Sequence, residues 1–358
     1  MRILHLLNHI QEIGNGIVNV AVDLACLQAE AGHTVTVASA GGEYDRLLAK
    51  YDVQHIPLDQ RRHPLQLLRA ARSYQALVRS VQPDIVHAHM MTGMVLARTL
   101  RGNAPYELVS TVHNEFQRSA ILMGLADRVI AVSQAVAQSM VQKGIPKTKL
   151  RVVCNGTLGS PREGLATLPP VKLQRPAIAT LAGMYHRKGI ADLITAFERL
   201  AIEFPDVHLY LIGNGPDRAE FEAQAQQTAV ADRIHFEGYQ AEPQRYLHAT
   251  DIFVLASRQE PFGLALSEAR EAGCAIVASN VDGIPEALDG GKAGILIPAA
   301  DPTALADAIA PLLRDPELLE KWKGRSQQNL DWLKVSRVHS ETLTIYSELM
   351  AARHQQKM

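Results

Sequence analysis

Two carboxylates, Glu260 and Glu268, stand with seven residues between them around the turn Pro261-Phe262-Gly263. Ile252 to Ala256, just before them, is an apolar run of the length a buried parallel strand needs. Ser257-Arg258-Gln259-Glu260 reads as a polar loop, and Leu264, Leu266, Ala269 and Ala272 then recur with a helical period that Gly273 ends. A strand thus runs through a loop into a helix N-terminus at Phe262, Gly263 and Leu264. The first amides of such a helix have no intrahelical partner and carry partial positive charge, which makes an anion site. Acids beside it fit two readings: groups that grip a polar substrate, or a first-turn acid favoured by the helix dipole next to a solvated one.

Three other stretches carry chemistry. Gly14-Asn15-Gly16 follows the first apolar run and opens a helical pattern. A dinucleotide fingerprint would need Gly or Ala where Asn19 stands and an acid near Ala38-Ser39-Ala40, so a Rossmann cofactor site is disfavoured against a plain glycine turn. Thr111-Val112-His113-Asn114 ends another strand, where His113 is either a hydrogen-bonded structural residue or a ligand-facing one. His87 and His89, two apart, point to one side of a strand; no third ligand accompanies them in the sequence, which favours a structural role and no metal. Gly183 to Gly189 brings Arg187 and Lys188 to the loop after a further strand.

The elements that must position these residues alternate regularly. Strand patterns fall at Ile3–Leu7, Thr34–Ala38, Gln54–Ile56, Ile85–Ala88, Leu108–Thr111, Val129–Val132 and Leu150–Val153, with helical patterns near 16–31, 65–81, 91–101 and 134–142. A Gly, Pro, Ser and Thr-rich linker runs from Asn155 to Pro170. The alternation then restarts at Ala177–Leu181 and continues through a helix at 302–314 to a helical tail from Asp315. The chain of 358 residues is long enough for two cores, and the alternation predicts two doubly wound α/β domains with parallel sheets. A net charge of −1 gives no field to attract nucleic acid. Three scattered cysteines, Cys26, Cys154 and Cys274, give neither a disulfide framework nor a metal spacing and fit a reducing cytoplasm. The first residues read as a buried strand rather than a signal peptide, and no apolar run approaches a membrane span.

The stretch from Asp251 to Cys274 closely resembles the signature of the family 4 retaining glycosyltransferases, and Lys188-Gly189, His87-Ala88-His89, Thr111-Val112-His113 and Gly283-Ile284-Pro285-Glu286 are similar to further parts of that family's pattern. The resemblance implies a GT-B fold: two Rossmann-like domains facing across a cleft. Residues 1–165 would be the acceptor domain, 171–335 the nucleotide-sugar domain, and a helix near 336–354 would cross back to the first. It implies transfer of a hexose from a nucleoside diphosphate sugar, with UDP-glucose or a related UDP-hexose as the expected donor, to a hydroxyl of a glycan or lipid-linked glycan, with retention and no metal or other cofactor. Glu260 would meet the sugar hydroxyls, Glu268 the ribose, and His113 the transferred sugar. Lys188 would meet the diphosphate. Arg187 would stand in for a family arginine whose place Met184 takes. Gly14 and Gly16 would approach the donor phosphates, and the base would bind near Tyr239. A nucleotide-sugar epimerase, a phosphorylase, or a non-catalytic nucleotide-sugar-binding protein on the same fold is the alternative.

Arg62, Arg69, Arg72 and Arg79 lie on one broad face of a helical pattern in a stretch, Asp59 to Asp84, with no acid between its ends. This is either a solvated face or a foothold on anionic lipid, the latter worth about 1 kcal/mol per residue and suited to a lipid-linked acceptor at the cytoplasmic face of a membrane.

Overall fold

The computed structural model describes residues 1–61, 63–162 and 169–356. The chain folds as two compact units, Met1–Gly164 with Lys334–Met358, and Leu165–Leu333. Arg62 lies outside the described residues.

The first unit holds a seven-stranded sheet: β1 (Arg2–Leu6), β2 (Thr34–Ser39), β3 (Gln54–Pro57), β4 (Ile85–Ala88), β5 (Glu107–Val112), β6 (Arg128–Ala131) and β7 (Leu150–Val152). Their order is β3-β2-β1-β4-β5-β6-β7, and every pairing is parallel. Helices on both faces remove the inner strands from water, so Ile3, Leu4, Val37, Val86 and Val109 are buried. Helix Pro64–Val81 packs Ala70, Tyr74 and Leu77 inward, where the Tyr74 hydroxyl donates to Tyr106 at 3.0 Å, and leaves Arg69, Arg72 and Arg79 exposed. Helix Val335–Gln356 belongs to the same unit: Tyr346 is buried beside His87, and Arg151 pairs with Glu348 at 3.2 Å. No described helix is long and apolar enough to cross a membrane.

The second unit repeats the plan with β8 (Ala177–Leu181), β9 (His208–Ile212), β10 (Ile234–Gly238), β11 (Ile252–Leu255), β12 (Ala275–Ser279) and β13 (Ile295–Ile297), in the order β10-β9-β8-β11-β12-β13, all parallel. Both sheets therefore reverse direction once, between β1 and β4 and between β8 and β11. Doubly wound sheets bind ligands just beyond the carboxyl ends of the strands at such a switch point.

Most elements lie within a few residues of the sequence reading. The tail departs from it: the structure breaks it into Pro316–Ser326, a short turn at Asp331–Leu333, and Val335–Gln356. Several short elements carry too weak a pattern to read, among them the helix Asp45–Lys50, the 3-10 segment Arg118–Leu125 and the helical turn Ile284–Ala287.

Candidate active site

In the second unit, the loops leaving β8 and β11 meet at the switch point. Arg258 N donates to Arg187 O at 2.8 Å, clasping one loop to the other. Gly189 makes that approach feasible, because its φ is 67° and a Cβ there would lie 1.9 Å from Ala256 O. The clasp places the Lys188 ammonium in an ion pair with the Glu260 carboxylate. Ser257 Oγ donates to the same Glu260 oxygen at 3.2 Å. Glu260 is also fixed through its backbone: its N–H donates to Asp282 Oδ2 at 2.8 Å and its carbonyl accepts from Gly283 N at 3.1 Å. A side chain at Gly283 would strike Pro261 O, 2.1 Å away.

Helix Leu264–Glu271 begins here, after Gly263 at φ 89°. Buried Arg270 anchors it, donating to Ala287 O at 2.6 Å and to Asp289 at 2.9 Å. Phe262 is buried edge-on against Trp332 with ring centres 5.9 Å apart, so what it can offer a ligand is its backbone amide. Glu268 is half-buried on the helix. Arg187 reaches Gln259 O at 3.5 Å, its guanidinium 5.7 Å from the centre of the Tyr185 ring. Met184 is fully buried in the core of this unit, so no cation at that position faces solvent. Tyr239 follows β10 and is 42% exposed.

In the first unit, a pocket of about 270 Å³ opens beyond β1, β4 and β5, lined by residues including Asn8, His89, Met90, Thr111, His113 and Asn114. Gly14 takes φ 70°, and Asn15 caps the helix that starts at Gly16, accepting from Ile17 N at 3.1 Å. His113 is 8% exposed, and burial lowers its pKa to about 3, which keeps the ring neutral.

The structure corrects the sequence reading of His87 and His89, for which no third partner was evident. β1 pairs with β4 so that His5 stands opposite His87, and ring nitrogens of His5, His87 and His89 lie within 4.8 Å of one another. Strand register across 80 residues of chain, not local spacing, makes the group. All six nitrogens are already in hydrogen bonds. His5 meets Gln28 at 2.7 Å and His89 at 2.9 Å. His87 meets Tyr346 at 2.6 Å and Thr111 at 2.7 Å, and His89 meets His113 at 3.3 Å. A neutral imidazole has one N–H and one lone pair, so a metal here would have to displace these bonds. The donor set fits a hydrogen-bonded cluster better than a metal centre.

Two family descriptions match this chain: "Glycosyltransferase Family 4" over residues 14–157 and "Glycosyl transferases group 1" over residues 169–329. The chain belongs to the family 4 glycosyltransferases. This glycosyltransferase is 28% identical over 232 residues to the lipopolysaccharide core biosynthesis glycosyltransferase LpsE of Rhizobium meliloti, covering 63% of this chain and 65% of that protein, just under two thirds of its length. It is 29% identical to the alpha-maltose-1-phosphate synthase of Mycolicibacterium smegmatis, covering 75% of this chain and 74% of that one. Among solved structures it superposes on HepE of Anabaena, determined with UDP and glucose, with a TM-score of 0.81 at 19% identity, over 97% of this chain and 99% of that one. That likeness establishes the GT-B fold.

Sequence reasoning missed Ser257, Asp282, His5 and Gln28 as site residues. Ser257 and Asp282 flank motifs that were singled out, and a search for partners of Glu260 among loop hydroxyls and turn acids would have raised them. His5 and Gln28 carry no local signal.

Proposed function

We propose that the chain transfers a hexosyl group from a UDP-hexose, UDP-glucose being the first candidate, to a hydroxyl of a glycan or lipid-linked glycan, retaining the anomeric configuration and using no metal. The observation that carries this reading is the pairing of Lys188 with Glu260 beside the N-terminus of helix Leu264–Glu271, at the switch point of the sheet. A cation and unpartnered amides are what a leaving diphosphate needs, and a fixed carboxylate is what sugar hydroxyls need. Family membership, the lipopolysaccharide core biosynthesis activity of LpsE and the UDP and glucose bound to HepE support the same class of donor and acceptor.

In this reading the acceptor oxygen bonds to the anomeric carbon as the carbon–phosphate oxygen bond breaks on the same face, and the departing phosphate takes the acceptor's proton. Lys188, Arg187 and the amides at Phe262, Gly263 and Leu264 stabilise the charge that grows on the diphosphate, an electrostatic form of catalysis. Glu260 orients the sugar, Glu268 holds the ribose, Tyr239 lies near the base, and His113 supports the sugar from the first unit together with the Gly14 to Gly16 turn. The exposed Arg69, Arg72 and Arg79, with Arg62, are the proposed contact with anionic lipid.

Thermal unfolding with UDP-, GDP- and ADP-sugars tests the donor, because a ligand that binds only the folded state raises the midpoint. UDP-sugars should raise it most, and turnover should require an acceptor. Hexose release or epimerisation at full rate without an acceptor would overturn the assignment, and an inverted anomeric proton coupling in the product would overturn retention. Flotation with phosphatidylglycerol vesicles that is unchanged after replacing the four arginines with glutamine would remove the lipid contact.

A further inference from the structure

His113 is the end of a buried line of imidazoles. Gln28 Oε1 lies 2.7 Å from His5 Nε2, His5 Nδ1 lies 2.9 Å from His89 Nε2, and His89 Nδ1 lies 3.3 Å from His113 Nε2. The rings of His5 and His89 stack with centres 5.2 Å apart, and those of His89 and His113 with centres 5.6 Å apart. His5, His89 and His113 are all buried. Burial lowers all three pKa values, so each ring is neutral at pH 7.

A line of neutral imidazoles has a direction. Each ring offers one N–H and one lone pair, so the group at the closed end decides which nitrogen carries the proton in every ring that follows. Gln28 presents an acceptor oxygen. His5 must then donate from Nε2, and its Nδ1 accepts from His89 Nε2–H. His89 Nδ1 in turn accepts from His113 Nε2–H. The line leaves a lone pair on His113 Nδ1, which has no hydrogen-bond partner among the described residues, and His113 lines the pocket of the first unit.

We propose that Gln28, His5 and His89 are positioning residues that hold His113 as its Nε2–H tautomer, so that Nδ1 offers a hydrogen-bond acceptor to a sugar hydroxyl in that pocket. The sugar in this statement rests on the proposed function; the tautomer does not. Fixing the tautomer through a second residue is how histidine sites are commonly tuned. Here the control runs through three hydrogen bonds from an amide on helix Gly16–Glu30.

The test is long-range proton–nitrogen NMR of the full chain labelled with ¹⁵N-histidine, His113 being assigned by its loss in His113→Asn. In the unsubstituted protein His5, His89 and His113 should all be Nε2–H. The Nδ1 shifts of His5 and His89 should show hydrogen-bond acceptance, and that of His113 should not. Gln28→Asn keeps a neutral amide acceptor and should leave His113 unchanged, whereas Gln28→Lys puts a donor in its place and should move His113 toward Nδ1–H. In the same pair, kcat should fall by about tenfold in Gln28→Lys alone, with the donor KM within about twofold, as loss of an interaction made in the transition state requires. His113 as Nδ1–H in the unsubstituted protein overturns the proposal, and so does an unchanged tautomer in folded Gln28→Lys. If neither variant folds, the unsubstituted protein decides by the three tautomers and the two accepting nitrogens. No sugar is needed for the tautomer measurement, so a failure of the donor assignment leaves it standing and is recognised separately.

Discussion

Lys188 and Glu260, 72 residues apart in the chain, form an ion pair whose side chains are 14% and 9% exposed. Burial at this level removes most of the solvation of both charges. Removing one partner of such a pair typically costs about 3–5 kcal/mol, because the other is left uncompensated. The pair is thus a store of interaction that a ligand with its own charges can exchange for: a diphosphate can take Lys188, and sugar hydroxyls can donate to Glu260.

Exchange of this kind predicts a coupling that depends on ligand. In the free protein, Lys188→Met and Glu260→Gln should each destabilise, and the double variant should be less destabilised than the sum by about 1–3 kcal/mol. With saturating UDP the coupling should shrink, because Lys188 then faces phosphate. Urea unfolding of the four proteins with and without UDP measures it. A coupling of equal size in both conditions would show that Lys188 stays with Glu260 and does not serve the diphosphate.

The two glutamates should separate kinetically. Glu260 is held through its side chain by Lys188 and Ser257 and through its backbone by Asp282 and Gly283, the fixed placement that its proposed role in the transition state requires. Glu260→Gln should lower kcat by about 10²–10³-fold, the range seen when one preorganised electrostatic group is lost. Glu268→Ala should weaken UDP binding by about tenfold, one hydrogen-bonding interaction's worth, with kcat within a few-fold. Calorimetric titration with UDP beside steady-state kinetics decides; equal losses in kcat for both variants would refute the division of roles.

What the sequence disclosed, and what it did not, divides by range. Parallel strands buried on both faces are short apolar runs, and these were readable from Ile85–Ala88 or Ala275–Ala278 without reference to anything else. The strand, loop and helix N-terminus proposed to hold the diphosphate were readable for the same reason, being contiguous from Ile252 to Leu264. Lys188 came from a motif and Glu260 from another, yet their pairing depends on β8 lying beside β11, a fact of sheet order. The histidine line is harder still. His5 sits in a run, Ile3–Leu7, whose apolar neighbours mark it as a strand and hide its one polar residue. Gln28 looks like an ordinary helix residue until β1 brings His5 against it. Met184 failed to read as a core residue because the expected pattern placed an arginine there.

Glycine at the loop crossing offers a matched comparison. Gly189 and Gly290 share φ 67°, but a Cβ at Gly189 would lie 1.9 Å from Ala256 O, while one at Gly290 meets nothing within 4 Å. Gly290→Ala should therefore cost only the left-handed backbone penalty, about 1–2 kcal/mol. Gly189→Ala adds a backbone collision and should cost at least about 2 kcal/mol more, with the Lys188–Glu260 pair displaced and activity lost. Chemical denaturation of the two variants isolates the clash; equal costs would mean that the two loops can part freely.

The buried histidines also fix how the first unit responds to acid. His5 and His113 have pKa values lowered from 6.5 to about 4 and about 3, and His87 and His89 are lowered well below 6.5, in each case chiefly by burial. Below pH 6.5 the unfolded chain binds protons that the folded unit refuses, so stability is full above that value and falls as pH drops toward the folded pKa values. Four such rings would together cost on the order of 5 kcal/mol by about pH 5.5, comparable to the whole stability of many domains. The first unit should therefore unfold in mild acid before the second, where the lowered His208 is only partly buried. Both tryptophans, Trp322 and Trp332, lie in the second unit. A pH titration should show a first loss of far-ultraviolet circular dichroism while tryptophan emission holds steady. Simultaneous loss of both signals, or dichroism unchanged down to about pH 4, would show that these rings are not held neutral by burial.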